Sequence, residues 1–487
     1  MIRTPQSNPL APRFQVLSNE QCNEIFSATL ECLQRVGVKV QNATGRDLLA
    51  AAGATVNGEI VHIPAEAVKR AISTTPRQFT VYGRDPSREM RVSLEHVYFG
   101  PGPTCTYFLD PASGERRKAR RGDAGLTAKV CDALPNIDYI MGLSLFDDVP
   151  PVLSPVYEFA EELENTTKPI ICWANTPATM NDIYQMAVAV AGSQSAFREK
   201  PNTIFFTTYE SPLKLAHDPI ANLLFAADHG IPAICLGGPT VGSEAPFTGA
   251  SALVIHLAAA LAALTLVQLK YPGAPFVIGG VPSMMDVRSG RPAYGSPEMS
   301  LHSAAAMDVA RWLGIPFMGT AGASEAKQLD AQAGVEGTLE VLLSALSGAS
   351  LVHDVGFFDC ADIGSLEYLV LTDEIISMAA RVMRGIKIDA ETIMMDLIAK
   401  VGPGGSFMAE GKSAGLCRAE AWVPTVLDRN PYAVWEKKGA KTTAAIVGEK
   451  LQKILSNHRP APLAAEVVSQ IDQILKAAEK RENERRG

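Results

Sequence analysis

The 487-residue sequence predicts an α/β fold: a (β/α)8 TIM barrel with an N-terminal elaboration and a helical C-terminal extension. Three observations predict it. Short, β-rich apolar runs recur eight times, with starts about 30–43 residues apart, and each precedes a helix-like segment. Glycines crowd the ends of these runs. No glycine-rich dinucleotide fingerprint follows any of them, which favours a closed barrel over a doubly wound open sheet with the same local pattern.

Residues 1–95 precede the repeat. Ser18 is a helix cap ahead of "NEQCNEIFSATLECLQRVG", which stops at Gly37. "EIVHIP" and "QFTVYGRD" then read as short strands. The barrel spans 96–385, and its strands are "VYFGPG" (97–102), "IDYIMGLSLF" (137–146), "PIICWAN" (169–175), "TIFFTTY" (203–209), "PAICLGG" (232–238), "PFVIGGV" (275–281), "PFMGTAG" (316–322) and "SLVHDVG" (350–356). Parallel strands covered on both faces need not alternate, which suits these continuous runs. The apolar stretch 252–269 is nearly long enough to span a bilayer. It contains His256, Thr265 and Gln268 and lies between strand-like segments, so it reads as a buried barrel helix. Over 386–487 the pattern becomes helix, a glycine-rich loop "PGGSFMAEGKSAG", and two amphipathic helices that would pack on the barrel.

Composition narrows the function. The chain is 47% apolar and 20% charged with a net charge of −8, the profile of a soluble globular protein without an affinity for nucleic acid. Its best basic cluster, "GERRKARRG", is short and reads as a solvated loop. The N-terminus lacks an apolar core, so no signal peptide is visible. Eight scattered cysteines form no CxxC pair, which argues against structural zinc or disulfides. A cytoplasmic homo-oligomer without a membrane partner is expected.

Familiar catalytic motifs are missing. There is no P-loop, GxSxG or HExxH, and the eight histidines are too dispersed to nominate a metal site. Lys327 is the single strand-end candidate for Schiff-base chemistry and reads more readily as an ion-pair member. Barrel chemistry lies at the C-terminal ends of the strands. There the sequence offers Tyr98, Phe99, Phe206, Tyr209, Phe357 and Phe358. Each alone fits a core role. Together they suit a cage for a quaternary ammonium, which binds aromatic faces and donates no hydrogen bonds.

The segments "QLKYPGAPFVIGG", "DVRSG", "GSPE", "AKQLDAQAG" and "SLEYLVLTDE", with "YFGPGP" early and "AEAWVPTVLDRNPYAVW" late, resemble the trimethylamine methyltransferase family. The resemblance is nearer to its non-pyrrolysine branch, which includes glycine betaine:corrinoid methyltransferases. It implies a barrel that moves a methyl group from a quaternary amine, glycine betaine first, to the Co(I) of a corrinoid on a partner protein. The cobalt is then the nucleophile, no catalytic side chain is required, and no tightly bound cofactor or metal is expected. Cys360 falls where the resemblance places pyrrolysine in trimethylamine enzymes, which points away from trimethylamine.

Within that frame His353 is the expected anchor for a betaine carboxylate. Tyr98, Phe206, Tyr209, Phe357, Phe358 and Cys360 are the other expected substrate contacts. Gly279, Gly280, Gly319 and Lys327 are expected on the corrinoid side, and Gly100 and Gly102 are expected to allow close approach. Another betaine (proline betaine, carnitine) or a barrel that binds a betaine without turnover are the alternatives. Two stretches depart from the family pattern: "SEAK", with Glu325 and Ala326 before Lys327, and "AEGKSAG", with Gly411 and Lys412.

Overall fold

The computed structural model describes the chain except residues 86, 409 and 487, and except the side chains of 412–414, 418 and 486. Seven parallel strands run His96–Phe99, Ile170–Cys172, Thr203–Thr208, Ala233–Gly237, Phe276–Gly280, Phe317–Thr320 and Leu351–His353. The last pairs with the first, Leu351 opposite Tyr98 and Val352 opposite Phe99, so the sheet curls back on itself. Residues 138–140 fill the remaining gap. Asp138 N donates to Phe99 O at 2.7 Å, Ile140 N to Pro169 O at 3.1 Å, and Ile171 N to Ile140 O at 2.8 Å. The ring therefore has eight staves, with the second reduced to a bridge. The expected run 137–146 is shorter because Gly142 turns into the left-handed region at φ 65.

The barrel has a bottom and a mouth. The antiparallel hairpin of Gln78–Tyr82 with Glu89–Ser93 packs Val81, Met90 and Val92 against interior residues including Tyr98, Tyr139 and Ile171. That closes the end from which the strands start. At the mouth, a small sheet joins Tyr107–Leu109 and Arg116–Lys118 to Phe357–Phe358 and Ile363–Gly364. The chain thus folds back on itself directly after the last barrel strand.

The apolar helix Gly249–Lys270 lies within the protein, with 78% of its apolar window buried. Helices Asn19–Glu31, Ala43–Ala51 and Ala65–Thr74 of the N-terminal segment cover it. The first of these begins at a reciprocal cap in which Ser18 and Gln21 satisfy each other's backbone N–H groups. Helices Thr443–Asn457 and Ala465–Arg486 pack on barrel helices, whereas Ala390–Ile393, Met395–Val401 and Tyr432–Lys437 bury no residue.

A candidate active site at the barrel mouth

A cavity of about 450 Å³ opens at the C-terminal ends of the strands, within the range of small-molecule sites. Phe206, Tyr209, Tyr294 and His353 contribute rings to its wall, and Glu210, Glu244 and Asp354 contribute carboxylates. The His353 and Phe206 rings lie 6.0 Å apart. His353 Nε2 meets Thr320 Oγ1 at 3.0 Å, while Nδ1 lies 2.5 Å from Asp354 Oδ1. That second contact is off the hydrogen-bond direction, and Nδ1 has no hydrogen-bond partner among the described residues. Both residues are buried, at 5% and 2% exposure. Asp354 adopts φ 74, a conformation uncommon outside glycine and tolerated best by Asn and Asp.

Behind Tyr209 stands a second ring. The Tyr209 hydroxyl is 2.6 Å from His256 Nδ1, and both side chains are buried. Burial drives the His256 pKa down to about 4, so its imidazole is neutral at pH 7, and pushes the Tyr209 phenol well up. A side chain at Gly237 would overlap the Tyr209 ring, and one at Gly280 would overlap His256. These two glycines exist to let rings pack against backbone.

His353, Phe206 and Tyr209 therefore lie together at the cavity, as the sequence placed them. The other expected contacts lie elsewhere. Tyr98 points toward the closed end, where its hydroxyl accepts from Arg91 N at 2.9 Å. Phe358 stacks on Tyr368 at 4.4 Å, and Phe357 is fully buried in the same core. Both belong to the fold-back sheet, which turns them off the mouth. Cys360 sits behind the wall: its thiol donates to the carbonyl of Pro292, a lining residue, at 2.9 Å. Burial raises that thiol to about 11, so it stays protonated at neutral pH.

The residues expected on the corrinoid side do not line this cavity. Gly279 faces Leu236 of the neighbouring strand, Gly280 faces His256, and Gly319 faces Ser303 and Ala349. None reaches the cavity lining. Gly100 gives room to Tyr139, and Gly102 to the Asp354 carboxylate, so both serve protein groups. Lys327 is exposed, donating to Glu325 O at 2.6 Å and pairing with Asp359 at 3.3 Å.

Sequence reasoning passed over Asp354, Glu210, Glu244 and Tyr294. Asp354 was signalled by its place beside His353. Tyr294 is positioned by Glu325, whose carboxylate accepts from the Tyr294 N–H at 2.7 Å, giving the departure at 325 a role in shaping the wall. Among the described residues no cluster of His, Cys, Asp and Glu could hold a metal ion. Lys412 lies outside the described side chains, and the exposed Gly411 starts the helix Gly411–Glu420.

The family model for trimethylamine methyltransferase (MTTB) matches residues 3–484. The chain belongs to that family. A glycine betaine methyltransferase of Desulfitobacterium hafniense (strain Y51) is 27% identical over 94% of this chain and 96% of its own length. A trimethylamine methyltransferase MttB of Methanosarcina thermophila is 31% identical over 93% and 95%. The crystal structure of a hydroxylamine MtmB complex superposes with a TM-score of 0.52 at 12% identity, covering 96% of this chain and 88% of that one. That likeness concerns the fold. In the trimethylamine methyltransferase family, then, this member carries its cavity where barrel enzymes carry their chemistry.

Proposed function

We propose that this member of the trimethylamine methyltransferase family transfers a methyl group from a small quaternary amine to the Co(I) of a corrinoid borne by a partner protein. The observation that carries the reading is the cavity itself, with four rings and three carboxylates at the mouth of a barrel. Aromatic faces and carboxylates both attract a permanently charged ammonium.

The chemistry asks little of acid–base groups. Co(I) supplies the electron pair that forms the Co–C bond, and the C–N bond breaks with its pair on nitrogen. The leaving group is a neutral tertiary amine, so no proton is delivered. Cation and reduced cobalt lose charge as they react, so a site with little water favours the transition state over the separated reactants. Phe206, Tyr209, Tyr294 and His353 would orient the donor and exclude water from it. Glycine betaine is the donor that the sequence resemblance and the name of one relative suggest. Cys360 in place of pyrrolysine supports a quaternary amine over trimethylamine.

Mixing the protein, a quaternary amine and chemically reduced cobalamin, then recording the visible spectrum, tests the reading. Methylcobalamin appears if it is right. Binding of donors without methyl transfer from any of them favours a non-catalytic barrel.

A further inference from the structure

Resting on that methyl-transfer reading, we infer that the donor this cavity selects is a small quaternary ammonium whose far end is neutral, an alcohol or alkyl group, and not a carboxylate. The charges facing the cavity carry the argument. Glu210, Glu244 and Asp354 line it, and among the described residues no lysine or arginine does. Cations in the loops around it are paired with acidic residues, the exposed Arg288 with Asp286 at 3.9 Å. Lys214 pairs with Glu210 at 2.5 Å, and Arg291 and Lys327 both pair with Asp359, at 3.1 and 3.3 Å. With Glu210 balanced by Lys214, Glu244 and Asp354 leave the wall acidic.

Among the described residues His353 is the one basic side chain in the lining, and Asp354 already occupies the space beside its Nδ1. A donor carboxylate brought to that nitrogen meets the Asp354 carboxylate at the same place. Like charges at contact distance in a partly desolvated cavity repel strongly. A hydroxyl at that end behaves differently. It carries no charge, and it donates to a carboxylate such as that of Asp354. The ammonium end keeps the rings and the acidic field. Methyl transfer from such a donor leaves methyl-Co(III) corrinoid on the partner and a neutral tertiary amine, with the C–N electron pair on nitrogen.

The test uses the full chain, chemically reduced cobalamin and three donors at equal concentration: tetramethylammonium, choline and glycine betaine. Methylcobalamin formation gives kcat/KM for each. The two cationic donors are expected to exceed betaine by about tenfold or more, and Asp354→Asn narrows that gap. Asparagine tolerates the left-handed backbone at 354, so the variant keeps its fold. Glu244→Gln, in the loop after the strand Ala233–Gly237, gives an independent second reading. Equal or faster reaction with betaine overturns the inference and leaves the methyl-transfer function standing. A gap unchanged in both variants overturns the assignment to these carboxylates. If no donor is demethylated, the methyl-transfer reading fails, and calorimetric titration then judges the charge preference. Binding of tetramethylammonium but not betaine sustains it; betaine binding as tightly, or neither binding, overturns it.

Discussion

His353 and Asp354 are sequence neighbours that face the same cavity, with Nδ1 2.5 Å from Oδ1 and the aspartate backbone at φ 74. Adjacent residues of a regular strand point to opposite faces. The left-handed turn at 354, just past the strand Leu351–His353, is what brings both side chains to one side. Holding a non-glycine residue there costs on the order of 1 kcal/mol, a strain that tends to persist at sites where geometry matters. Truncation by His353→Ala removes the ring facing Phe206 and the side chain packed against Asp354. The expected outcome is a fall in kcat/KM for the methyl donor on the order of tenfold, the size of one desolvated cation–π contact. Unchanged kinetics would take His353 out of the site.

The two phenylalanines that follow behave differently. Phe358 is 1% exposed and stacked nearly parallel on Tyr368, at 16° between planes. Replacing it by alanine should cost about 3–5 kcal/mol of stability, the usual range for a buried aromatic. KM for the donor should stay put in the folded fraction. Phe206→Ala, at the cavity, should show the reverse: a raised KM and a smaller loss of stability. Urea midpoints and donor titrations on the pair separate the roles, and a raised KM in Phe358→Ala would return that residue to the site.

That contrast marks how far the sequence could be read. Barrel strands such as "PFVIGGV" declare themselves because both of their faces are buried, and helical segments between them set the spacing. His353, Phe206 and Tyr209 were legible because a residue ending a barrel strand faces the mouth as long as the strand continues in register. Phe357 and Phe358 break that condition, since the chain reverses and pairs them with Gly364 and Ile363. No local pattern announces the reversal. Glu210 and Glu244 stand in loops whose direction is set by distant packing. Strand-end glycines are crowded for a related reason: the space left by Gly100 and Gly280 is filled by Tyr139 and His256 of this same chain.

His256 gives a pH signature. Burial, the larger effect, pushes its pKa down to about 4, while the Gly237 backbone partly offsets it. In the unfolded chain the imidazole titrates near 6.5. Between those values the unfolded state binds more protons than the folded one, so this residue makes the protein less stable as pH falls from 6.5 to 4. The integrated loss is about 3 kcal/mol at the low end. Buried carboxylic acids slope the other way, so the difference between wild type and His256→Gln is the clean quantity. Denaturant midpoints should converge as pH drops through this window. Parallel profiles would mean that His256 is protonated in the folded state or hydrated there.

Glu158 supplies the opposite sign. It is buried beside Gly142, and its Oε1 accepts from Trp173 Nε1 at 2.8 Å while Oε2 has no partner. Burial raises its pKa to about 8, against the smaller lowering by Trp173, and Glu162 next to it is raised further by burial and by Glu158 itself. A carboxyl whose folded pKa lies above its unfolded value stabilises the fold fully below about 4.5, and that stabilisation fades as pH rises through 8. Glutamine keeps the acceptor for Trp173 and cannot ionise. Glu158→Gln should therefore match wild type near pH 5 and exceed it by a few kcal/mol, on the order of 3, at pH 9. Guanidinium midpoints measured from pH 5 to 9 check this. A variant that gains nothing at pH 9 would show that Glu158 ionises freely in the folded protein, with water or a cation reaching its unpartnered oxygen.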